Sequence, residues 1–321
     1  MDLKNIKING RYIKQNDKLV LFNSGSGISF KAKGRGFTIN VGSKTWPCYY
    51  YFILDRDYEN KVKLCTTNNL VWKYIFNDDK EHLVDIVKAT EAKDSIFFVE
   101  DLEIDGELLK YDHQYNKNVM IYGDSTIAGY GILSHDIASI DTSDGVRDFA
   151  FHALYELNYE MDIMCASGYG LSFSAYTNPK NVGIYDYFDK VTINSNFSWK
   201  NKNKHDILII SLGCNDSSYI SEQPNKKDEY IKVFIEKYQE VIDSEVMLNN
   251  EIKILMIYGT LKEEQAYYLC EQTYEYLKPL YNNLYIHKFD GDNTAASNHA
   301  FVTAHNRMAE ELKAVIRSIL K

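Results

Sequence analysis

Residues 207–212 (Ile-Leu-Ile-Ile-Ser-Leu) are aliphatic but for one serine, and they run straight into Gly213-Cys214-Asn215-Asp216. A strand this uniformly apolar has no face to offer to water. It reads as a central parallel strand covered on both sides. Parallel neighbours need crossover connections, so this feature commits the segment to alternating strands and helices. The rest of the C-terminal part agrees. Residues 119–122, 163–166, 252–258 and 284–288 read as further strands of one parallel sheet. Residues 148–157, 228–246, 262–278 and 307–320 carry apolar side chains at three- and four-residue steps and read as helices. In such open sheets ligands bind beyond the carboxyl ends of the strands.

The first 110 or so residues have another texture. Residues 19–22, 36–41, 49–54 and 96–99 are β-branched or aromatic, separated by Gly, Asn, Asp and Ser. This spacing predicts an all-β unit, most economically a jelly-roll-like sandwich. The expected fold is therefore α/β: a three-layer α/β/α domain around a central parallel sheet, residues 117–321, preceded by a β-sandwich, residues 1–112. The polar stretch 111–118 is the expected boundary.

Formal charge is −9, and the short Lys clusters at 200–204 and 226–227 are broken by Asn or lie beside Asp228, so a nucleic-acid or anionic-membrane surface is not expected. Five cysteines, at 48, 65, 165, 214 and 270, show no paired spacing and read as reduced thiols. No metal-ligand spacing is visible, and no cofactor is expected. The segment from Met1 to Ile8 lacks an apolar core of the signal-peptide kind, and no run approaches 18 apolar residues. The expectation from these features is a soluble, cytoplasmic protein. The 26 tyrosines are mostly expected to fill core and half-buried strands; Tyr130 and Tyr169 stand out by position.

Chemistry is concentrated where strands end. Behind 119–122 comes Gly123-Asp124-Ser125-Thr126-Ile127, which turns toward a helix and sets one hydroxyl at the carboxyl edge of the sheet. Free backbone N–H groups at such a turn face the charge that develops when a serine attacks an acyl carbon. Taken alone, Asp-Ser is also an ordinary turn and cap pair. Three other segments follow in order, each beside an element end: Ala166-Ser167-Gly168-Tyr169-Gly170, Gly213-Cys214-Asn215-Asp216, and Ser297-Asn298-His299. Asp124 reads as a structural turn residue, Asp216 as a cap, and His305 as a helix-start residue packed near the site.

These four blocks resemble those of the SGNH (GDSL-type) hydrolases. Closer still is the likeness to carbohydrate esterase family two, the acetyl-xylan-esterase-like enzymes, carried by Gly-Asp-Ser followed by Gly129-Tyr130-Gly131, by Ser167 to Leu171, by His305 to Ala309, and by Ile8-Asn9-Gly10-Arg11-Tyr12 at the start of a separate β-rich domain. The resemblance implies Ser125 as nucleophile and His299 as general base. It implies an oxyanion hole from Ser125, Gly168 and Asn215. Many members place Asp three residues before the histidine and Pro after it; here those positions hold Ala296 and Ala300. The imidazole is then expected to be oriented by a backbone carbonyl, with Asp292 as the alternative. The implied activity is removal of short acyl groups, chiefly acetyl, from hydroxyls of an oligo- or polysaccharide. A lysophospholipase or thioesterase, an acetyltransferase and a catalytically decayed glycan-binding protein are the alternatives.

Overall fold

The structure is a computed structural model that describes residues 4–44, 47–200 and 203–321. Trp46, and Asn201 and Lys202 of the 200–204 stretch, lie outside the described residues. The chain divides into two compact units, Met1–Tyr115 and Asn116–Lys321.

The first unit is an antiparallel sandwich. Its strands are β1 (Ile6–Asn9), β2 (Tyr12–Gln15), β3 (Lys18–Leu21), β4 (Gly27–Lys44), β5 (Cys48–Leu54), β6 (Val62–Thr66), β7 (Asn69–Ile75), β8 (Glu81–Lys88) and β9 (Ile96–Leu109). The order is β2-β3-β9-β4-β8-β5-β6, with β1 and β7 also pairing on β4. β4 is far longer than the segment 36–41 that periodicity marked out. Its first half pairs β1 and β8, its second half β7, and both stretches meet β9. The register slips between Gly34 and Gly36, where β4 lies against Gly106 of β9. A Cβ on Gly34 would sit 2.7 Å from the Gly106 Cα and 2.4 Å from the Asp105 carbonyl oxygen, and both glycines have positive φ. The bulge bends the sheet at this point so that its two halves close over one core. Phe30, Phe37, Phe52, Phe97 and Trp72 pack inside, with Phe30 and Phe37 edge to face at 5.2 Å.

The second unit is the expected α/β/α domain. Five strands, β10 (Asn118–Gly123), β11 (Glu160–Cys165), β12 (Ile207–Ser211), β13 (Lys253–Tyr258) and β14 (Leu284–Lys288), pair in parallel in the order β11-β10-β12-β13-β14. Helices α1 (Phe149–Glu156) and α5 (Val302–Ile319) pack together; α2 (Cys214–Ser221), α3 (Lys227–Leu248) and α4 (Glu264–Leu277) form another group. Alternation along the strands assigns side chains to the two faces. Met120, Tyr122, Leu208, Ile210, Ile254 and Met256 share one core with Phe234 and Tyr238 of α3 and Leu269 of α4. The opposite parity, Val119, Ile121, Ile207, Ile209, Leu255 and Ile257, is equally buried.

α5 buries Ala304, His305, Met308, Ala309, Leu312, Ile316 and Ile319, a stripe at three- and four-residue steps, and the helix begins five residues earlier than the sequence pattern marked. α1 is capped by Asp148, whose Oδ1 accepts from Ala150 N–H (2.7 Å) and Phe151 N–H (3.2 Å). Among the described residues no helix is long and apolar enough to cross a membrane.

Strand order reverses at β10: the chain first adds β11 on one side, then crosses to β12 on the other. Gly123, the last residue of β10, pairs with both Cys165 and Ser211, the last residues of β11 and β12. The three strands therefore end flush, and the loops that follow leave from one edge at the switch point.

Candidate active site

The three flush loops carry the Ser, Gly and Asn blocks. After β10, the buried Asp124 carboxylate accepts from the Thr126 N–H and hydroxyl, both at 2.9 Å, while Ala128 N–H bonds the Asp124 carbonyl and Tyr130 N–H the Ser125 carbonyl. This tight turn holds Ser125 at the strand end. Burial pushes the Asp124 carboxyl up to about 7, against the Thr126 bonds that favour its charge. Asp124 is thus a local brace, as its turn position suggested.

The Ser125 hydroxyl meets Nε2 of His299 at 2.7 Å. His299 arrives from the opposite end of the unit, on the loop between β14 and α5. On that loop Ser297 and Asn298 both have left-handed backbone, φ 55° and 59°. Two such residues in a row curl the chain so that the Ser297 carbonyl faces back onto the following ring, and Nδ1–H of His299 donates to it at 3.0 Å. The loop is braced by Ala295 N–H to the His299 carbonyl, Ala296 N–H to the Ser134 carbonyl and Val302 N–H to the Ile132 carbonyl. His135 stacks on Phe301 at 4.0 Å and donates from Nδ1 to the Thr294 carbonyl.

Asp292, the alternative orienter, does not reach the imidazole. Its Oδ1 accepts from Thr294 N–H, Thr294 Oγ–H and Phe301 N–H, so it fastens the two ends of the histidine loop instead. Asp290 is exposed, with its carbonyl on Arg307. Burial lowers the His299 pKa from its ordinary 6.5, against the backbone hydrogen bonds at Ser297 and Ala296. The ring is neutral at pH 7, with the proton on Nδ1 fixed by the Ser297 carbonyl and Nε2 free to accept.

On the β11 loop, Gly168 has φ +85°. Neither its N–H nor that of Ser125 meets an acceptor among the described residues. Gly170, the other glycine of the block, donates its N–H to the Phe173 carbonyl at 2.8 Å and is not available. Asn215, buried on the first turn of α2, donates from Nδ2 to the Tyr169 carbonyl at 3.1 Å, tying the second and third loops together.

Asp216 does more than cap. Fully buried, its carboxylate accepts from Leu171 (2.8 Å), Ser172 (2.8 Å) and Phe173 (2.9 Å) N–H groups of the neighbouring loop. A Cβ on Gly170 would stand 2.2 Å from one of its oxygens, so the loop wraps directly onto the carboxylate. α2 itself was not marked by periodicity, because only Ile220 in it is a buried large apolar residue.

His305 is buried in α5, accepts the Phe149 N–H on Nδ1 at 3.2 Å, and burial lowers its pKa to about 3. It is a neutral packing residue. Tyr130 stands edge-on to the His299 ring at 5.2 Å, Tyr169 is held by Asn194 through its hydroxyl, and the 85% exposed Tyr176 adjoins Gly168. A cavity of about 500 Å³ opens between α2, α3 and α4 over Ile220, Ile231 and Leu269; none of the residues just described as candidate nucleophile, base or oxyanion donor lines it.

A serine hydroxyl on a neutral imidazole, beside free N–H donors at a sheet switch point, is equipped for acyl transfer. Residues 119–313 match the family model of the GDSL-like lipases/acylhydrolases, and residues 8–111 match that of the carbohydrate esterase 2 N-terminal domain. No curated protein matches the sequence significantly. Among solved structures the fold is similar to that of a family two carbohydrate esterase from Clostridium thermocellum in complex with cellohexaose. That match has 19% identity and a TM-score of 0.82, and covers 98% of this chain and 99% of the other. An acetyl xylan esterase from the rumen bacterium Butyrivibrio proteoclasticus matches at 14% identity and TM-score 0.85, over 100% and 97%. A salicylyl-acyltransferase from a tetracycline biosynthetic pathway matches at 9% identity and TM-score 0.69, over 98% and 96%.

Proposed function

Because this chain belongs to the GDSL-like lipase/acylhydrolase family, we propose that it is a serine esterase removing short acyl groups, chiefly acetyl, from carbohydrate hydroxyls. The observation that carries this reading is the 2.7 Å contact between Ser125 Oγ and His299 Nε2, with Nδ1–H held by the Ser297 carbonyl. In the proposed cycle His299 takes the hydroxyl proton as Oγ attacks the ester carbon. The Ser125 and Gly168 N–H groups and the Asn215 amide receive the oxyanion. Collapse of the intermediate releases the alcohol, protonated by His299, and leaves Ser125 acylated. Water, deprotonated by the same ring, then frees the acid. The scheme needs no cofactor.

The carbohydrate part of the reading is supported by the match of residues 8–111 to the esterase 2 N-terminal model. Further support comes from the similar proteins described as carbohydrate and acetyl xylan esterases. The ring of Tyr130, 5.2 Å from that of His299, is an aromatic surface beside the dyad that suits the apolar face of a pyranose. The fold shared with an acyltransferase keeps a second reading in view, in which a second alcohol rather than water takes the acyl group.

Hydrolysis of p-nitrophenyl acetate, butyrate and octanoate tests the acyl part, and release of acetate from an acetylated xylo-oligosaccharide tests the alcohol part. The expected result is kcat/KM falling from acetate to octanoate, with acetate freed from the oligosaccharide. A rate rising toward octanoate identifies a lipase or thioesterase instead. Acyl transfer to added alcohol that outruns hydrolysis identifies the transferase.

A further inference from the structure

In the proposed cycle the Asn215 amide must point an N–H at a charge that exists only in the transition state, so whatever aims that amide bears on the rate. Its Nδ2 carries two hydrogens. One goes to the Tyr169 carbonyl at 3.1 Å, and among the described residues Nδ2 has no other acceptor. The direction of the second N–H is therefore set by where the Tyr169 carbonyl stands.

The peptide that carries this carbonyl is held at both ends. Its N–H, on Gly170, donates to the Phe173 carbonyl at 2.8 Å, and the Tyr169 N–H reaches the Ala166 carbonyl at 3.3 Å. The Tyr169 side chain anchors the turn from outside. It is only 8% exposed, and its hydroxyl accepts from Asn194 Nδ2 at 3.0 Å. Oδ1 of Asn194 in turn accepts from the Tyr187 hydroxyl at 2.9 Å, and the Tyr187 ring stands edge-on to that of Tyr169 at 6.4 Å. Asn194 thus uses both ends of its amide, one on each tyrosine. It does so from left-handed backbone, φ 54°, which asparagine tolerates better than most residues. A tyrosine ring turns about two torsions only, so pinning its hydroxyl restrains the backbone that bears it.

We infer that Asn194 is a positioning residue for the oxyanion amide: it holds the Tyr169 hydroxyl, which fixes the 169–170 peptide, which aims the second Nδ2–H of Asn215. This deepens the acyl-transfer reading and rests on its assignment of Asn215 to the oxyanion. It also gives a task to a residue between β11 and β12 that lies outside all four sequence blocks.

The test measures kcat and KM for p-nitrophenyl acetate in wild type, Asn194→Gly, Asn194→Asp and Tyr169→Phe, and repeats Asn194→Gly in an Asn215→Ala background. Asn194 is exposed, so replacing it leaves the core intact, and glycine removes the amide without straining left-handed backbone. Aspartate accepts from both tyrosine hydroxyls and keeps both bonds. Acylation and deacylation both pass through the oxyanion, so kcat reports on it whichever step limits.

Asn194→Gly and Tyr169→Phe are expected to lower kcat by about 5- to 10-fold at unchanged KM. Asn194→Asp is expected to stay within about twofold of wild type. Asn215→Ala alone should lose about 10²-fold or more, and Asn194→Gly should then add nothing, because its path to the reaction is gone. An unchanged kcat in Asn194→Gly overturns the inference. So does a loss confined to KM, or one that is as large without the Asn215 amide as with it. If Asn215→Ala itself keeps the wild-type kcat, the oxyanion assignment fails first and the positioning role falls with it.

Discussion

His299→Ala is expected to lower kcat/KM for acetyl esters by about 10⁴-fold or more, while Asp292→Asn lowers it by no more than about threefold. The contrast follows from where the two side chains are. The imidazole is the group placed to take the Ser125 proton, at 2.7 Å, and without it the hydroxyl attacks at its unperturbed, weak nucleophilicity. Among the described residues the Asp292 carboxylate accepts hydrogen bonds from Thr294 and Phe301 and from no imidazole. Its loss loosens the loop without changing the tautomer, which the Ser297 carbonyl fixes. In a triad with a carboxylate, removing the carboxylate costs about 10⁴ in kcat. A large loss in Asp292→Asn would therefore mean that this carboxylate swings onto Nδ1 during turnover. The pH profile carries the same information. Burial lowers the His299 pKa below 6.5, and protonation removes the base. The acid limb of kcat/KM in wild type should accordingly fall below pH 6.5, and a buried carboxylate partner would have raised it instead.

Asp216→Ala is expected to be the most destabilising single change around the site, by about 3–5 kcal/mol, with kcat of the remaining folded protein down by about 10²-fold or more. Three N–H groups of residues 171–173 lose their acceptor in a place with no exposure to water. The loop they anchor is the one that presents Gly168, so a donor of the proposed oxyanion hole becomes loose at the same time. Asp216→Asn separates charge from hydrogen bonding. It keeps an acceptor for Ser172 and Phe173 but turns an NH₂ toward Leu171. Burial pushes the Asp216 carboxyl from its ordinary 3.8 up to about 6. A raised folded-state pKa contributes stability that is complete below 3.8 and is lost as pH rises through about 6. Wild type thus bears the cost of a buried charge at neutral pH and the amide does not. The melting-temperature deficits of Asp216→Asn and Asp216→Ala should both shrink between pH 5 and pH 8 by a similar amount, and that of Asp216→Ala, which has lost the acceptor oxygens as well, should stay the larger throughout.

What could be read from the sequence was whatever leaves a periodic or compositional trace. The aliphatic run 207–212 announced the parallel sheet, and the small polar segments behind 119–122, 163–166 and 207–212 fall at one edge because those strands end in register at Gly123, Cys165 and Ser211. Ala296 in place of the usual Asp pointed to a backbone carbonyl as the orienter of His299, but which carbonyl left no trace, because its place depends on the left-handed pair Ser297 and Asn298 rather than on a residue type. The part played by Asp216 was hidden for another reason: its acceptors serve donors more than 40 residues away, while its own helix gives an acidic first-turn residue an ordinary explanation. α2 escaped because it buries little apolar surface and is held by its neighbours. The choice of Gly168 over Gly170 gains a physical reason only in three dimensions, where Gly170 spends its N–H on Phe173.

The proposed cycle depends on Ser125 being an activated nucleophile, and that can be read by mass. Wild type and Ser125→Ala should be incubated with phenylmethylsulfonyl fluoride, followed by intact mass, peptide mapping and residual p-nitrophenyl acetate hydrolysis. One sulfonyl group on Ser125, with activity lost in proportion to labelling, and an unlabelled, inactive Ser125→Ala protein are the expected results. Label found on another residue, or ester hydrolysis that survives in Ser125→Ala, would show that the Ser125–His299 pair is not the engine of this enzyme.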